Sequence, residues 1–183
     1  MTDAIGLKTA VEIQHGDSIQ IGENKILFRG RLSLISSIAA GSIQVSGTNN
    51  GGWSNLPGAS YSLRLGTDVS SPTDLNQASL IAELGWLIGL TQQKATFSNA
   101  SERGCTFIFT APPNALTDGV TIGEFGLYMS NWTATGFRHT VPNNFNPAQS
   151  LFSRIAAGDG ELTPFVYNAA LPLTVAWTVK FSF

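Results

Sequence analysis

Charge is what this chain has least of. Asp, Glu, Lys and Arg make up 12% of its 183 residues, against about 25% in an average globular domain. A freestanding monomer normally carries more charge for solubility, so the deficit points to surfaces covered by other proteins. Net charge is −2 and the longest basic run is Arg29-Gly-Arg31. The phosphate-neutralising patch of a nucleic-acid binder is missing, which argues against direct DNA contact.

Cysteine is limited to Cys105, so an internal disulfide is excluded. In the alternating run Cys105-Thr-Phe-Ile-Phe-Thr110 it reads as a small core residue, with a reactive thiol as the alternative. Histidine is limited to His15 and His139, neither at ligand spacing from another His or Cys, and no metal, nucleophile-elbow, phosphate-loop or dinucleotide motif occurs. No metal and no cofactor is expected. The apolar stretches 32–40 and 80–90 are interrupted by serines or by Glu83 and Gly85, and both fall short of the roughly 20 residues that cross a bilayer. The opening Met-Thr-Asp-Ala-Ile-Gly-Leu-Lys lacks the charged-then-apolar order of a secretory signal. Neither export by that route nor a membrane segment is expected, and the sequons at Asn99 and Asn131 then read as chance matches.

What the chain does have is alternation. Leu171, Leu173, Val175, Trp177, Val179, Phe181 and Phe183 occupy every odd position to the C-terminus, with Pro172, Thr174, Ala176, Thr178, Lys180 and Ser182 between them. Period two predicts one long strand with one buried and one wetted face. Trp177 is expected in the same core as Phe125 or Leu127 and Phe152. Further strands are expected at 18–21 and 26–36, joined as a hairpin by Gly22-Glu23-Asn24, and at 61–65, 121–130 and 150–156. A second hairpin pairs 90–98 with 104–110. Ser71-Pro72-Thr73-Asp74 has the order of a helix start, with Ser as N-cap and Pro at the first helical position, and predicts a short helix over 73–84.

The Gly-, Ser- and Asn-rich stretch 36–60, centred on Thr48-Asn-Asn-Gly-Gly-Trp53, reads as a long loop or arm. Trp53 is then either a partner anchor or a cover over the core edge. The predicted architecture is a single mostly-β domain over 1–183, an antiparallel β-sandwich of jelly-roll type with one short helix, the arm at 36–60 and an inserted loop at 131–149.

Enzymatic chemistry has little to stand on. Glycoside hydrolysis needs only two flanking carboxylates, and Glu83, Glu124, Asp118, Asp159 and Glu161 could supply them, but any chain with twelve acids offers such pairs. No catalytic residue and no enzymatic activity is expected. Glu124, between Gly123 and Phe125 in a strand-like run, is expected to be a structural partner for Arg154 or for a backbone donor.

Three runs in order carry a resemblance: Ile122-Gly-Glu-Phe-Gly-Leu-Tyr128, Leu151-Phe-Ser-Arg-Ile155 and Leu173-Thr-Val-Ala-Trp-Thr-Val179. With the upstream Leu65-Gly-Thr-Asp-Val-Ser-Ser-Pro-Thr-Asp74 and 107–113, the region 61–183 resembles small tail, baseplate and tail-fibre attachment proteins of tailed bacteriophages. The insertion at 131–149 and the first 60 residues depart from that pattern. The resemblance implies a structural virion protein that docks onto other virion proteins as a homo-oligomer or within a symmetric assembly, and is assembled in the bacterial host cytoplasm. Trp53, Trp132, Phe137 and Phe145 are the candidate interface aromatics. Two other classes stay open. One is a capsid decoration, cement or head-neck protein. The other is a carbohydrate-binding receptor-recognition module, in which Trp53, Trp132 and Phe145 would stack on a glycan.

Overall fold

The computed structural model describes residues 6–27, 60–99, 102–130 and 150–182. Among them the chain is almost entirely strand: β1 (Gly6–His15), β2 (Ser18–Gly22), β3 (Lys25–Ile26), β4 (Ser60–Gly66), β5 (Glu83–Asn99), β6 (Glu102–Ala111), β7 (Thr121–Ile122), β8 (Glu124–Ser130), β9 (Ser150–Ala156), β10 (Phe165–Val166) and β11 (Leu173–Ser182). Nine of these form one sheet in the order β2-β1-β11-β6-β5-β4-β8-β9-β3, and β10 pairs with β7 apart from it. Every pairing is antiparallel.

Alternation explains β11. Leu173, Val175, Trp177 and Val179 are fully buried, while Thr174, Ala176, Thr178 and Lys180 between them are half-exposed. The strand starts at Leu173, two residues later than the alternation suggested, and Leu171 stays 37% exposed beside the turn. Central placement follows from the same pattern, since β1 flanks β11 on one side and β6 on the other. Trp177 lies opposite both Val11 and Phe107.

The 17-residue strand β5 makes the sheet curl. Its first half pairs with β4, as in Leu63↔Ile88, and its second half with β6, with a register shift between Leu90 and Gln92. A bulge bends a strand and raises its twist, so the two ends of the sheet turn toward each other. Their inner faces share one core cluster, in which Val11, Phe107 and Trp177 from one half join Leu63, Phe125, Leu127, Phe152 and Ile155 from the other. Cys105 belongs to this core and is 2% exposed.

Two expectations need correction. The hairpin expected around Gly22-Glu23-Asn24 does not form: β2 pairs with β1 and β3 with β9. The hairpin closes one turn earlier, at Gly16-Asp17, where Gly16 takes φ +59 and Asp17 does not. That combination suits the type II′ turn of a two-residue hairpin. No helix forms over 73–84, and among the described residues the sole helical element is a 3-10 turn at Ala157–Asp159. Asp74 instead accepts the Asn76 N–H on its side chain and the Gln77 N–H on its backbone oxygen. These are the local bonds by which short polar side chains favour turns over helices.

At one end of the core, His15 links β1 to the segment before β11. Its Nε2 accepts the Asn168 N–H at 3.0 Å, and its Nδ1 faces the Pro172 carbonyl at 3.3 Å. A carbonyl can only accept, so the neutral tautomer with hydrogen on Nδ1 satisfies both contacts. The ring stacks on Tyr167 at 4.9 Å.

Candidate functional site

The densest polar network of the described residues lies on the outer face of β8 and β9, where the 67–82 segment covers it. Arg154 and Glu124 are both fully buried and lie on neighbouring strands, with Gly126↔Arg154 and Glu124↔Ala156 in register. Arg154 Nε donates to Glu124 Oε2 at 2.8 Å, Nη2 to Asp68 Oδ2 at 3.2 Å, and Nη1 to the Ser71 carbonyl at 3.3 Å and Thr73 Oγ1 at 3.1 Å. Glu124 also accepts the backbone N–H groups of Ala82 at 2.8 Å and Ile81 at 3.3 Å. A buried pair stripped of water is tolerable only when its remaining donors and acceptors are met, and here they are met by the segment 67–82.

The same segment is tied at a second point. Asp159 accepts the Thr73 N–H at 3.0 Å, the Thr73 hydroxyl, and the Lys25 ammonium at 2.5 Å. Burial pushes the Asp159 carboxyl up, but these hydrogen bonds and the Lys25 charge outweigh it and hold the group below the usual aspartate range. Backbone approaches backbone closely here. A Cβ on Gly123 would collide with the Asp68 carbonyl, and one on Gly158 with the Ser71 carbonyl.

A third anchor is partly apolar. Leu27, Leu80, Tyr128 and Leu151 form a small cluster outside the main core. Phe152 is the extra residue of the register shift between β8 and β9, so Leu151 faces Tyr128 in this outer cluster while Phe152 enters the main core. The Tyr128 hydroxyl accepts the Leu80 N–H at 2.9 Å and donates to Glu83 at 3.1 Å. Burial raises the Tyr128 phenol above its ordinary range, so it stays a neutral donor. Arg64 completes the group, 2.6 Å from Glu83 and 4.5 Å over the Tyr128 ring.

The expected Glu124–Arg154 pair is thus present, and both of its foreseen forms occur, a cation partner and backbone donors. The other carboxylates weighed for catalysis are likewise engaged: Glu83 by Arg64 and Tyr128, Asp118 by the Ala169 N–H at 2.7 Å, Glu161 by the Glu23 N–H at 3.0 Å. Among the described residues no group of His, Cys, Asp and Glu could hold a metal ion, and no helix is long and apolar enough to cross a membrane. Trp53, Trp132, Phe137 and Phe145 lie outside the described residues, as do the 131–149 loop, most of 36–60 and, from residue 28 on, the strand expected at 26–36.

Among the described residues, the outer face and edge of the other half of the sheet carry no such cover. On that face Gln14, Thr174 and Thr110 stand in one row across β1, β11 and β6, Glu12, Ala176 and Ile108 in the next, and Ala10, Thr178 and Thr106 in a third. Thr106 and Thr178 share a hydrogen bond at 2.8 Å. At the rim β2 adds Ile19 opposite Gln14 and Ile21 opposite Glu12, 56% and 72% exposed. Sequence reasoning missed this edge. Its signal is the short run Ser18-Ile-Gln-Ile-Gly22, with apolar residues on one face and no Lys or Pro. No family model, curated protein or solved structure matches this chain.

Proposed function

We propose that this protein is a structural docking protein of a tailed bacteriophage virion, a tail, baseplate or fibre-adaptor component that acts in several copies against other virion proteins. Its curled sheet would close as a β-sandwich of jelly-roll type, a reading supported by the single core that both halves share. The observation that carries the docking role is how the surface is divided. Arg154, Glu124, Asp68, Asp159, Lys25, Arg64 and Glu83 are drawn into intrachain ion pairs, while Ile19, Ile21, Leu87 and Val166 are each more than half exposed. Apolar groups left in water favour association, and large low-charge contacts are what a virion module needs. The tail location rests on the ordered resemblance of 61–183.

The test is localisation in particles. Virions purified through a density gradient from a host that carries the gene should contain the chain, and gold-labelled antibody should mark the tail end. Label on the head would favour a decoration or cement protein instead. Absence from purified particles would contradict the proposal.

A further inference from the structure

Strand β2 ends the nine-stranded sheet, and the way it is built says what it can accept. In a two-residue hairpin the pair next to the turn is hydrogen-bonded and bonded pairs then alternate. Here His15↔Ser18 closes the turn, so Ile13↔Gln20 and Val11↔Gly22 are the bonded pairs. The N–H and C=O groups of Ile19 and Ile21 therefore point away from β1, toward the open edge, where no described strand pairs with them. Natural edges are usually guarded by a lysine, a proline or a bulge. β2 has none of these, and both its isoleucines are exposed. The strand is held firmly from its other face, where the Gln20 side chain donates to the Thr163 carbonyl at 3.1 Å and accepts the Thr163 N–H at 2.9 Å.

The charge around this edge has one sign. Glu12 lies opposite Ile21 on β1, Asp17 sits in the turn before β2, and Glu23 follows it. All three are exposed, and none has an ion pair among the described residues. The nearest lysine in sequence, Lys25, is drawn to Asp159 at 2.5 Å.

Taking the chain as a docking protein, we propose that β2 receives an added antiparallel strand from a partner whose segment carries two β-branched apolar residues at alternate positions, flanked on each side by Lys or Arg. The outward groups of Ile19 and Ile21 supply the ladder, their side chains supply apolar contact, and Asp17, Glu12 and Glu23 select basic flanks. A second copy of this chain is the poorer occupant. Two-fold pairing centred on Gln20 would use the same outward groups, but it would set Asp17 opposite Glu23 at both ends, and like charges directly opposite are destabilising.

The probe is the blocked peptide Lys-Thr-Val-Thr-Val-Thr-Lys, with a Glu-flanked version and a version N-methylated at alternate residues as controls. Binding to the full chain is measured by titration calorimetry, and the site by hydrogen exchange. The Lys-flanked probe should slow exchange at the Ile19 and Ile21 amides and should bind more weakly as salt is raised. Both controls, and the Ile19→Lys/Ile21→Lys variant with the Lys-flanked probe, should bind at least about tenfold more weakly. Should that variant fold poorly, Ile19→Thr/Ile21→Thr keeps the β-branching, removes apolar area and should lose binding too. Unchanged exchange at Ile19 and Ile21, or equal binding of either control, would overturn the proposal. Slowing of those amides with protein concentration alone would overturn it in favour of a second copy. Incorporation into particles is scored separately, so a failed edge with intact incorporation leaves the docking role standing.

Discussion

In β1, β11 and β6 burial alternates along each strand, whereas in β8 and β9 every described side chain is buried. The first region packs Val11, Ile13, Phe107, Phe109, Val175 and Trp177 inward and leaves Gln14, Glu12, Thr110, Ile108, Thr174 and Ala176 outside. The second packs Phe125, Leu127 and Ile155 inward, yet its outward Glu124 and Arg154 are no more exposed than the core. The cause is the 67–82 segment, which covers the outer face of β8 and β9 and is held by hydrogen bonds to Glu124, Arg154, Asp159 and Tyr128. Arg154, Glu124, Asp159 and Glu83 act as fasteners that let a loop serve as a second layer, whereas on the opposite half of the sheet Glu12 stands exposed on the outer face with no ion pair among the described residues.

The largest expected effect lies in the alternating region. Trp177→Ala should destabilise the protein by about 3–5 kcal/mol, the range for truncating a buried aromatic, read as a lowered midpoint in urea. Trp177→Phe should cost clearly less, because the buried Trp177 Nε1 has no hydrogen-bond partner among the described residues to lose. Equal losses for the two variants would mean that volume is not what Trp177 contributes.

Next comes the fastener itself. Arg154→Met leaves the Glu124 and Asp68 carboxylates without their cation and should cost about 3 kcal/mol, the low end for breaking a buried pair, because Glu124 keeps the Ile81 and Ala82 N–H groups. Adding Glu124→Gln should recover part of that loss. A double variant no better than the single one would show that the pair does not act as a unit.

A smaller effect, with a pH signature, is expected at Asp159. Its carboxyl is held below its usual range in the folded state, so it contributes stability that is present above the ordinary aspartate range and is lost as pH falls through the folded value. Asp159→Asn should lower stability by about 1–2 kcal/mol at neutral pH. It should also flatten the acid limb of a stability-against-pH curve, so that the two proteins converge at low pH. Parallel curves would place the Lys25 and Thr73 contacts outside the folding balance.

The smallest effect belongs to the open face. Thr178→Val removes a hydroxyl that pairs with Thr106 on a half-exposed surface, and stability should change by no more than about 0.5 kcal/mol, as for ordinary surface substitutions.

What could be read from the sequence follows the same division. β11 was legible because one of its faces is wet, which leaves a visible period of two. Glu124 was legible because a lone acid inside an apolar strand run requires a partner, and Arg154 stands in the matching strand. The cover over β8 and β9 was not legible. Ser71-Pro72-Thr73-Asp74 offers the groups that cap a helix, and the same groups brace a loop: the Ser71 N–H and hydroxyl bond to Asp68, and Thr73 bonds to Asp159. Local chemistry cannot separate these uses, since the deciding acceptors lie on a residue 86 positions away. The β1–β2 hairpin was hidden for a simpler reason. Gly22-Glu23-Asn24 offers stronger turn residues than Gly16-Asp17, and the pairing of Val11 and Ile13 with the distant β11 settles the matter.

Hydrogen exchange of the free protein tests the central contrast most directly. The amides of Ala82 and Thr73, bonded to the buried Glu124 and Asp159, should exchange slowly although they lie outside regular strands, while those of Ile19 and Ile21 on the open edge should exchange fast. Fast exchange at Ala82 and Thr73 together with protection at Ile19 and Ile21 would contradict both the fastened cover and the open edge.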